Sequence, residues 1–334
     1  MGAVNFSKEE LLNMYDEIVK ARVIGEKIVE FIYSGRIAGA IHPCLGQEAV
    51  SAGLVSAFRK SDIKTYGTAT HRMQTVMAYR LGLKPFISEL LLRKGGINGG
   101  ISGEYHVTSI EKTQIPGTGA LGGAWGLIAG FAWGLKTDGR KREIGFAPYG
   151  DGAISSGATY EAMNLAAIFK LPMLFFIENN GIAMTTPVIK QSPLENLADR
   201  AAAFNMKGVT VDGNDPIAVA EAVLNGMELA ANFEPNVVEA KCMRWEGHYV
   251  GDDQSLYRDV KFRDNLDAID PVLAFQKKLV DLKYLDDAAI KKVREAKVAE
   301  VSEAFEEGMT QGVATREEVL DYNRIYSNDA GGEL

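Results

Sequence analysis

Cysteine is almost missing from the 334 residues: Cys44 and Cys242 lie far apart, with no C-x-x-C pair between them. That excludes a disulfide framework and a cysteine zinc cage, and it fits a reducing compartment. Positive charge is also short. With 36 Lys+Arg against 44 Asp+Glu the formal net charge is −8, so nucleic acid and anionic membrane surfaces would repel the chain. Met1 to Ser7 carry neither the basic nor the apolar run of a secretory signal, and the expected location is the cytoplasm. Long apolar runs are scarce as well. Residues 113–135 hold no charge and are long enough to span a bilayer, but Pro116 and seven glycines leave too little apolar surface for one.

What is present is globular. At 46% hydrophobic residues the chain can bury a large core, as one big α/β domain or two smaller ones. Ser7 to Glu10 form a capping box, and Leu11, Tyr15, Ile18, Ile28 and Ile32 follow at near-helical spacing, which predicts a long amphipathic opening helix. Helices are expected at 47–58 and 85–93. Between Gly95 and Gly157 lie 17 of the 35 glycines, mixed with an apolar helix. From 144 onward strand and helix alternate: strands at 144–149, 173–177, 209–211 and 237–241, helices at 156–169 and 216–231. That alternation predicts an α/β fold, a parallel sheet with helices on both faces, flanked by helical N- and C-terminal regions. The expected divisions are a helical part over about 1–110, a sheet core over about 111–250 and a helical arm over about 251–334, within one domain. The arm reads as two charged helices, 271–282 and 286–307, with solvated faces, and then a frayed tail, Gly331 to Leu334.

The sharpest chemical signal is a pair of glycine-bounded loops. Tyr149, Gly150, Asp151, Gly152 and Ala153 follow one predicted strand, and Glu178, Asn179, Asn180 and Gly181 follow the next. Asp151 and Asn180 are 29 residues apart, one strand–helix–strand unit, so they meet at adjacent strand ends. A carboxylate and an amide oxygen there suit Mg²⁺, which completes its shell with ligand phosphates. The glycines let backbone N–H groups approach a diphosphate, and the following helix directs its positive end toward it.

Gly150-Asp151-Gly152 followed by Asn180 resembles the thiamine diphosphate motif. With Glu161 to Pro172, His42 to Glu48, Arg244 to His248 and Tyr257-Arg258, the stretch from about 10 to 310 resembles the α subunit of the decarboxylating component of 2-oxo-acid and acetoin dehydrogenase complexes. The resemblance implies a thiamine diphosphate-binding fold and an assembly of two α and two β subunits with the cofactor between them. It also implies a lipoyl acyltransferase core as a further partner and a small carbonyl compound as substrate. By resemblance, Asp151, Asn180 and the main-chain oxygen of Ile182 hold Mg²⁺, and Thr118, Gly150, Gly152, Ala153 and His248 contact the cofactor. His248, His71 and His106 become the candidate catalytic groups, since histidine is the usual proton carrier near neutral pH. His42 also falls near a family position, but His42-x-Cys44 is no metal site, because two more ligands are needed and none is spaced nearby. The implied reaction is cleavage beside a carbonyl with oxidative acyl transfer. The other readings are a nonoxidative enzyme of transketolase type and an inactive regulatory subunit of the same fold.

The sequence departs from the family pattern in three places. Thr68 and Ala69 replace a Tyr-Arg pair that grips the diphosphate, with Arg72 the candidate substitute. Glu104 and Tyr105 precede His106 where Ser and Met are usual. A carboxylate there would repel a 2-oxo acid and favour an uncharged acyloin or diketone. Tyr249 replaces the serine that follows the active-site histidine, which removes serine-kinase control at that position. One further element stands out: Gly122, Gly126, Gly130 and Gly134 recur every four residues in the apolar helix. Each costs about 1 kcal/mol against Ala. The smooth stripe they form either packs on the sheet or admits a helix of another subunit closely.

Overall fold

In the computed structural model, which describes residues 4–321, the chain opens with helix α1 (Lys8–Tyr33), capped as its sequence demands. The Ser7 side chain accepts the Glu10 N–H, and Glu10 answers on the Ser7 N–H. Helix α2 (Glu48–Lys60) leads to strand β1 (Lys64–Gly67), then helices α3 (Gln74–Leu81), α4 (Leu83–Leu90) and α5 (Gly123–Thr137). Strand β2 (Glu143–Gly150), helix α6 (Gly157–Phe169) and strand β3 (Met173–Asn179) follow, then a small antiparallel pair, β4 (Ile182–Ala183) and β5 (Thr186–Pro187). Strand β6 (Lys207–Asp212), helix α7 (Pro216–Ala231) and strand β7 (Asn236–Lys241) complete the sheet, and α8 (Pro271–Asp281), α9 (Asp287–Thr310) and the short α10 (Arg316–Val319) close the chain. The tail expected to fray, Gly331 to Leu334, lies outside the described residues.

The sheet is wholly parallel, in the order β1-β2-β3-β7-β6. Its strands are continuous apolar runs because both faces are covered. Phe146, Phe176 and Val238 face the core shared with α1, α2 and α7, whereas Ala147, Tyr149, Phe175, Ile177 and Val237 face the core under α5 and α6. The order reverses between β3 and β7. Such a reversal opens a crevice at the carboxyl ends of the strands, where ligands bind in sheets of this kind.

Several elements differ from what the sequence predicts. Strand β1 comes from the stretch expected to be only helical; at four residues it is too short to show an alternation. Helix α4 ends at Leu90, not Arg93, because Leu92 takes a left-handed backbone with φ of 57°. The proline inside β2 has a simple explanation. Gly145 donates to Pro172 on the β3 side, so the alternate position Pro148 turns its missing donor toward β1, which has already ended opposite Phe146. The charged helix α9 is also not merely a solvated rod: it buries Val301, Ala304 and Phe305, and Phe305 meets Phe31 of α1 edge to face at 4.8 Å.

No helix among the described residues is long and apolar enough to cross a membrane. The uncharged stretch 113–135 is instead a loop followed by α5.

Candidate functional site

β2 and β3 end in register, Gly150 opposite Glu178, so the loops after them meet above the sheet. A cavity of about 500 Å³ opens there, lined among others by Gly150, Asp151, Gly152, Ala153, Asn180 and Ile182. Asp151 is buried, with one carboxylate oxygen that has no hydrogen-bond partner. Burial pushes its carboxyl up to about 6, although Arg244 and Arg72 pull the other way. Asn180 donates to the Gln47 side chain at 3.0 Å and turns its own oxygen to the Ile182 N–H at 3.3 Å. Its neighbour Asn179 points elsewhere, donating to the buried Glu239 at 2.7 Å, and is a structural residue of the sheet. Gly152 has to be glycine, since a Cβ there would lie 2.4 Å from that of Ala183.

Glu178 adds a second buried carboxyl to this cavity. One of its oxygens accepts the Thr70 hydroxyl at 2.6 Å, the other has no partner, and burial pushes the group up to about 7. Thr118 does not reach the cavity wall. Its hydroxyl is taken by the Ala120 carbonyl at 2.8 Å, close to the Tyr149 hydroxyl, which also accepts the Ala124 N–H at the start of α5. Its neighbours Gly119 and Leu121 line the cavity instead.

All four histidines border the cavity. Three of them form a cluster: His42 stands 4.4 Å from His71 and 4.7 Å from His248, ring centre to ring centre. His106 stands apart and exposed, its Nδ1 on the Gly117 carbonyl at 2.9 Å. Burial, then the charge of Arg72, pushes His248 down to about 3 and His71 well below the ordinary histidine range, so both are neutral near pH 7. The amide of Gln74 ties the main chain of this cluster together, donating to the carbonyls of His42 at 2.6 Å and His71 at 2.8 Å.

The cavity arginines are held by oxygen atoms of the chain. Arg72 donates to the Pro43 carbonyl at 3.2 Å and the His248 carbonyl at 2.7 Å, and burial pulls its guanidinium only down to about 10, so it stays cationic. Arg244 reaches the Met184 carbonyl at 2.8 Å and the Tyr257 hydroxyl at 3.2 Å. Thr68 and Ala69 are buried and do not line the cavity, whereas Arg72 does. Tyr249 is 41% exposed. Glu104 corrects the expectation of a carboxylate set beside His106: it turns to His42, accepting that residue's N–H at 3.2 Å and contacting its Nδ1. Glu178 and Arg244 are thus site residues to which the sequence reading gave no role, and His42, expected only near a family position beside the cofactor, joins them. Their signal was available in position, since Glu178 precedes Asn180 and the other two lie in the stretches quoted for the resemblance.

Sheet and cavity together define an α/β protein with a buried carboxylate and a histidine cluster facing one ligand pocket at the carboxyl edge. The chain belongs to the dehydrogenase E1 component family, whose model matches residues 15–317. Among its relatives is the α subunit of acetoin:2,6-dichlorophenolindophenol oxidoreductase from Bacillus subtilis, 32% identical over 83% of this chain and 83% of the relative. The pyruvate dehydrogenase E1 component subunit alpha of Zymomonas mobilis is 33% identical over 88% of this chain and 85% of its own. The 2-oxoisovalerate dehydrogenase subunit alpha of Bacillus subtilis is 31% identical over 96% and 97%.

Proposed function

We propose that this chain is the α subunit of a thiamine diphosphate-dependent dehydrogenase that, with a β subunit, cleaves the carbon–carbon bond beside a carbonyl and transfers the acyl group oxidatively. The observation that carries it is the Asp151–Asn180 pair at adjacent strand ends, over the same cavity as the histidines. The site suits the cofactor. An orphaned buried carboxylate oxygen on Asp151, pushed up by burial, is short of a positive partner, and Mg²⁺ supplies one. Asp151, Asn180 and the Ile182 carbonyl would hold the metal. Gly150, Gly152 and Ala153 would approach the diphosphate, with Arg72 and Arg244 offsetting its charge in place of the Tyr-Arg pair; Thr118 would stand behind this wall, its hydroxyl 3.3 Å from that of Tyr149.

The cofactor, when bound, supplies the nucleophilic carbon and holds the electron pair of the broken bond. The chain's own part is to bind, to exclude water and to manage protons. Because the Arg72 guanidinium can only donate, the contact at 3.3 Å from its Nη2 to Nδ1 of His248 assigns the proton of that ring to Nε2. His248 is then a neutral donor suited to a developing oxyanion. His71 and His106 complete the polar wall.

A partner is required, and the surface supports one. On α5, Leu127, Phe131 and Trp133 are exposed at 49%, 37% and 43%, beside Leu165 and Ile168 of α6. A Cβ added at Gly126, Gly130 or Gly134 would meet nothing within 4 Å, so these three face outward, whereas Gly122 is not part of the stripe: it is the N-cap of α5, with φ of 94°, packed against Ser156. An apolar face with a glycine groove suits close helix approach by another subunit, in an assembly of two α and two β subunits that serves a lipoyl acyltransferase core. The chain acts as one thiamine-binding domain over 1–334. Its free thiols Cys44 and Cys242 suit the reducing cytoplasm. The transketolase reading has less support, since the relatives named above are dehydrogenases or oxidoreductases. Coexpression with the cognate β subunit, followed by acceptor-dependent turnover of acetoin and 2-oxo acids, tests the reading; binding of thiamine diphosphate without turnover of either class would favour the regulatory alternative.

A further inference from the structure

We propose that Glu104 and His42 fit this pocket to an uncharged 2-hydroxy ketone: Glu104 orients His42, and Nε2 of His42 takes the hydroxyl proton as the carbon–carbon bond breaks. The proposal rests on the thiamine-enzyme reading above. Glu104 holds His42 at two points, its main-chain N–H and its ring Nδ1. With both Glu104 oxygens as acceptors, Nδ1 carries the ring proton and Nε2 presents a lone pair. His248, held by Arg72, has the opposite tautomer, with its proton on Nε2. The two rings meet edge to face at 4.7 Å, so one cavity wall offers an acceptor beside a donor.

That pairing matches one substrate class. Cleaving a 2-oxo acid beside its carbonyl releases CO₂, and no proton has to leave the departing fragment. Cleaving a 2-hydroxy ketone releases an aldehyde, and the carbinol O–H must give up its proton. The O–H bond breaks, its proton goes to Nε2 of His42 and its electron pair becomes the new C=O. The carbon–carbon pair would stay with the former carbonyl carbon, for which the bound cofactor would supply the electron sink, and no oxidant enters this step. A base oriented by a carboxylate is needed only in the second case. The hydrogen-bond partners point the same way: Arg72 donates to main-chain carbonyls and the His248 ring, and Arg244 to the Met184 carbonyl and the Tyr257 hydroxyl.

The test uses the complex of this chain with its cognate β subunit, with acetoin and pyruvate as probes. His42→Gln should lower kcat for acetoin roughly a hundredfold. Glu104→Gln should lower the acetoin-to-pyruvate ratio of kcat/KM about tenfold. Calorimetry on the complex loaded with an unreactive thiamine diphosphate analogue gives a reading free of turnover. Wild type should bind acetoin in preference to pyruvate, and Glu104→Ala should narrow that preference. Equal losses for both substrates in Glu104→Gln, or an unchanged binding preference in Glu104→Ala, would overturn the proposal. Failure of the wild-type complex to bind thiamine diphosphate would instead sink the functional reading beneath it.

Discussion

The imidazole of His42 stands edge to face on that of His248, 4.7 Å between ring centres, although 206 positions of sequence separate them. Each ring is fixed by a different partner, the Glu104 carboxyl for His42 and the Arg72 guanidinium for His248. The site therefore carries its acceptor and its donor as preset tautomers.

His248→Ala should reduce turnover more than it reduces cofactor affinity, because a donor to developing charge acts on the chemical step. Comparing kcat with the calorimetric affinity for thiamine diphosphate checks this. Unchanged kcat would remove His248 from the mechanism.

Stability should report the same residue. Burial and Arg72 hold folded His248 at about 3, below its unfolded value of 6.5. The unfolded chain thus binds more protons through this window, so the contribution is full above pH 6.5 and is lost as pH falls toward 3. His248→Asn cannot titrate. Its Tm should gain on that of wild type as pH is lowered from 6.5, and parallel Tm curves would contradict the assignment.

Gly126→Leu separates folding from assembly. The position is open, and replacing glycine in a helix interior favours the helix by about 1 kcal/mol, so the α chain should keep or raise its Tm. Coexpressed with β it should fail to form the heterotetramer by size-exclusion chromatography. Normal assembly would show that the stripe faces solvent in the complex.

Purified without β, the chain should bind the diphosphate end weakly and turn nothing over. In the enzymes it resembles, the glutamate that activates the cofactor belongs to β, and strand–helix alternation for a second thiamine domain is absent from the described residues. Full turnover by the α chain alone would refute this.

The sheet was legible where strands were long and buried. Residues 144–149 and 173–177 are apolar runs closed by Gly-Asp-Gly and Asn-Asn-Gly, and the parallel-sheet rule then places Asp151 beside Asn180. Strand β1 was not legible: Lys64 to Gly67 carry no alternation, and pairing with Glu143 to Phe146 alone makes them a strand. Helix α3 was hidden for another reason. It starts without a side-chain cap and buries Gln74 and Thr75, polar residues that a periodicity reading assigns to the surface. Within the site, His248 was named from its motif, but the grouping of His42, His71 and His248 depends on loops brought together only by the tertiary fold. The turn of Glu104 toward His42 is likewise a loop property, and no local pattern announces it.

In the proposed function Asp151 anchors Mg²⁺ and, through it, thiamine diphosphate. Titration calorimetry of the α–β complex with thiamine diphosphate, with and without Mg²⁺, tests it in wild type, Asn180→Ala and Asp151→Ala. Wild type should bind only with Mg²⁺, Asn180→Ala more weakly, and Asp151→Ala should show no Mg²⁺-dependent binding, since the carboxylate paired with Asn180 is gone and Glu178, the second buried carboxyl of the cavity, is tied to the Thr70 hydroxyl. Unchanged Mg²⁺-dependent affinity in Asp151→Ala would contradict the account.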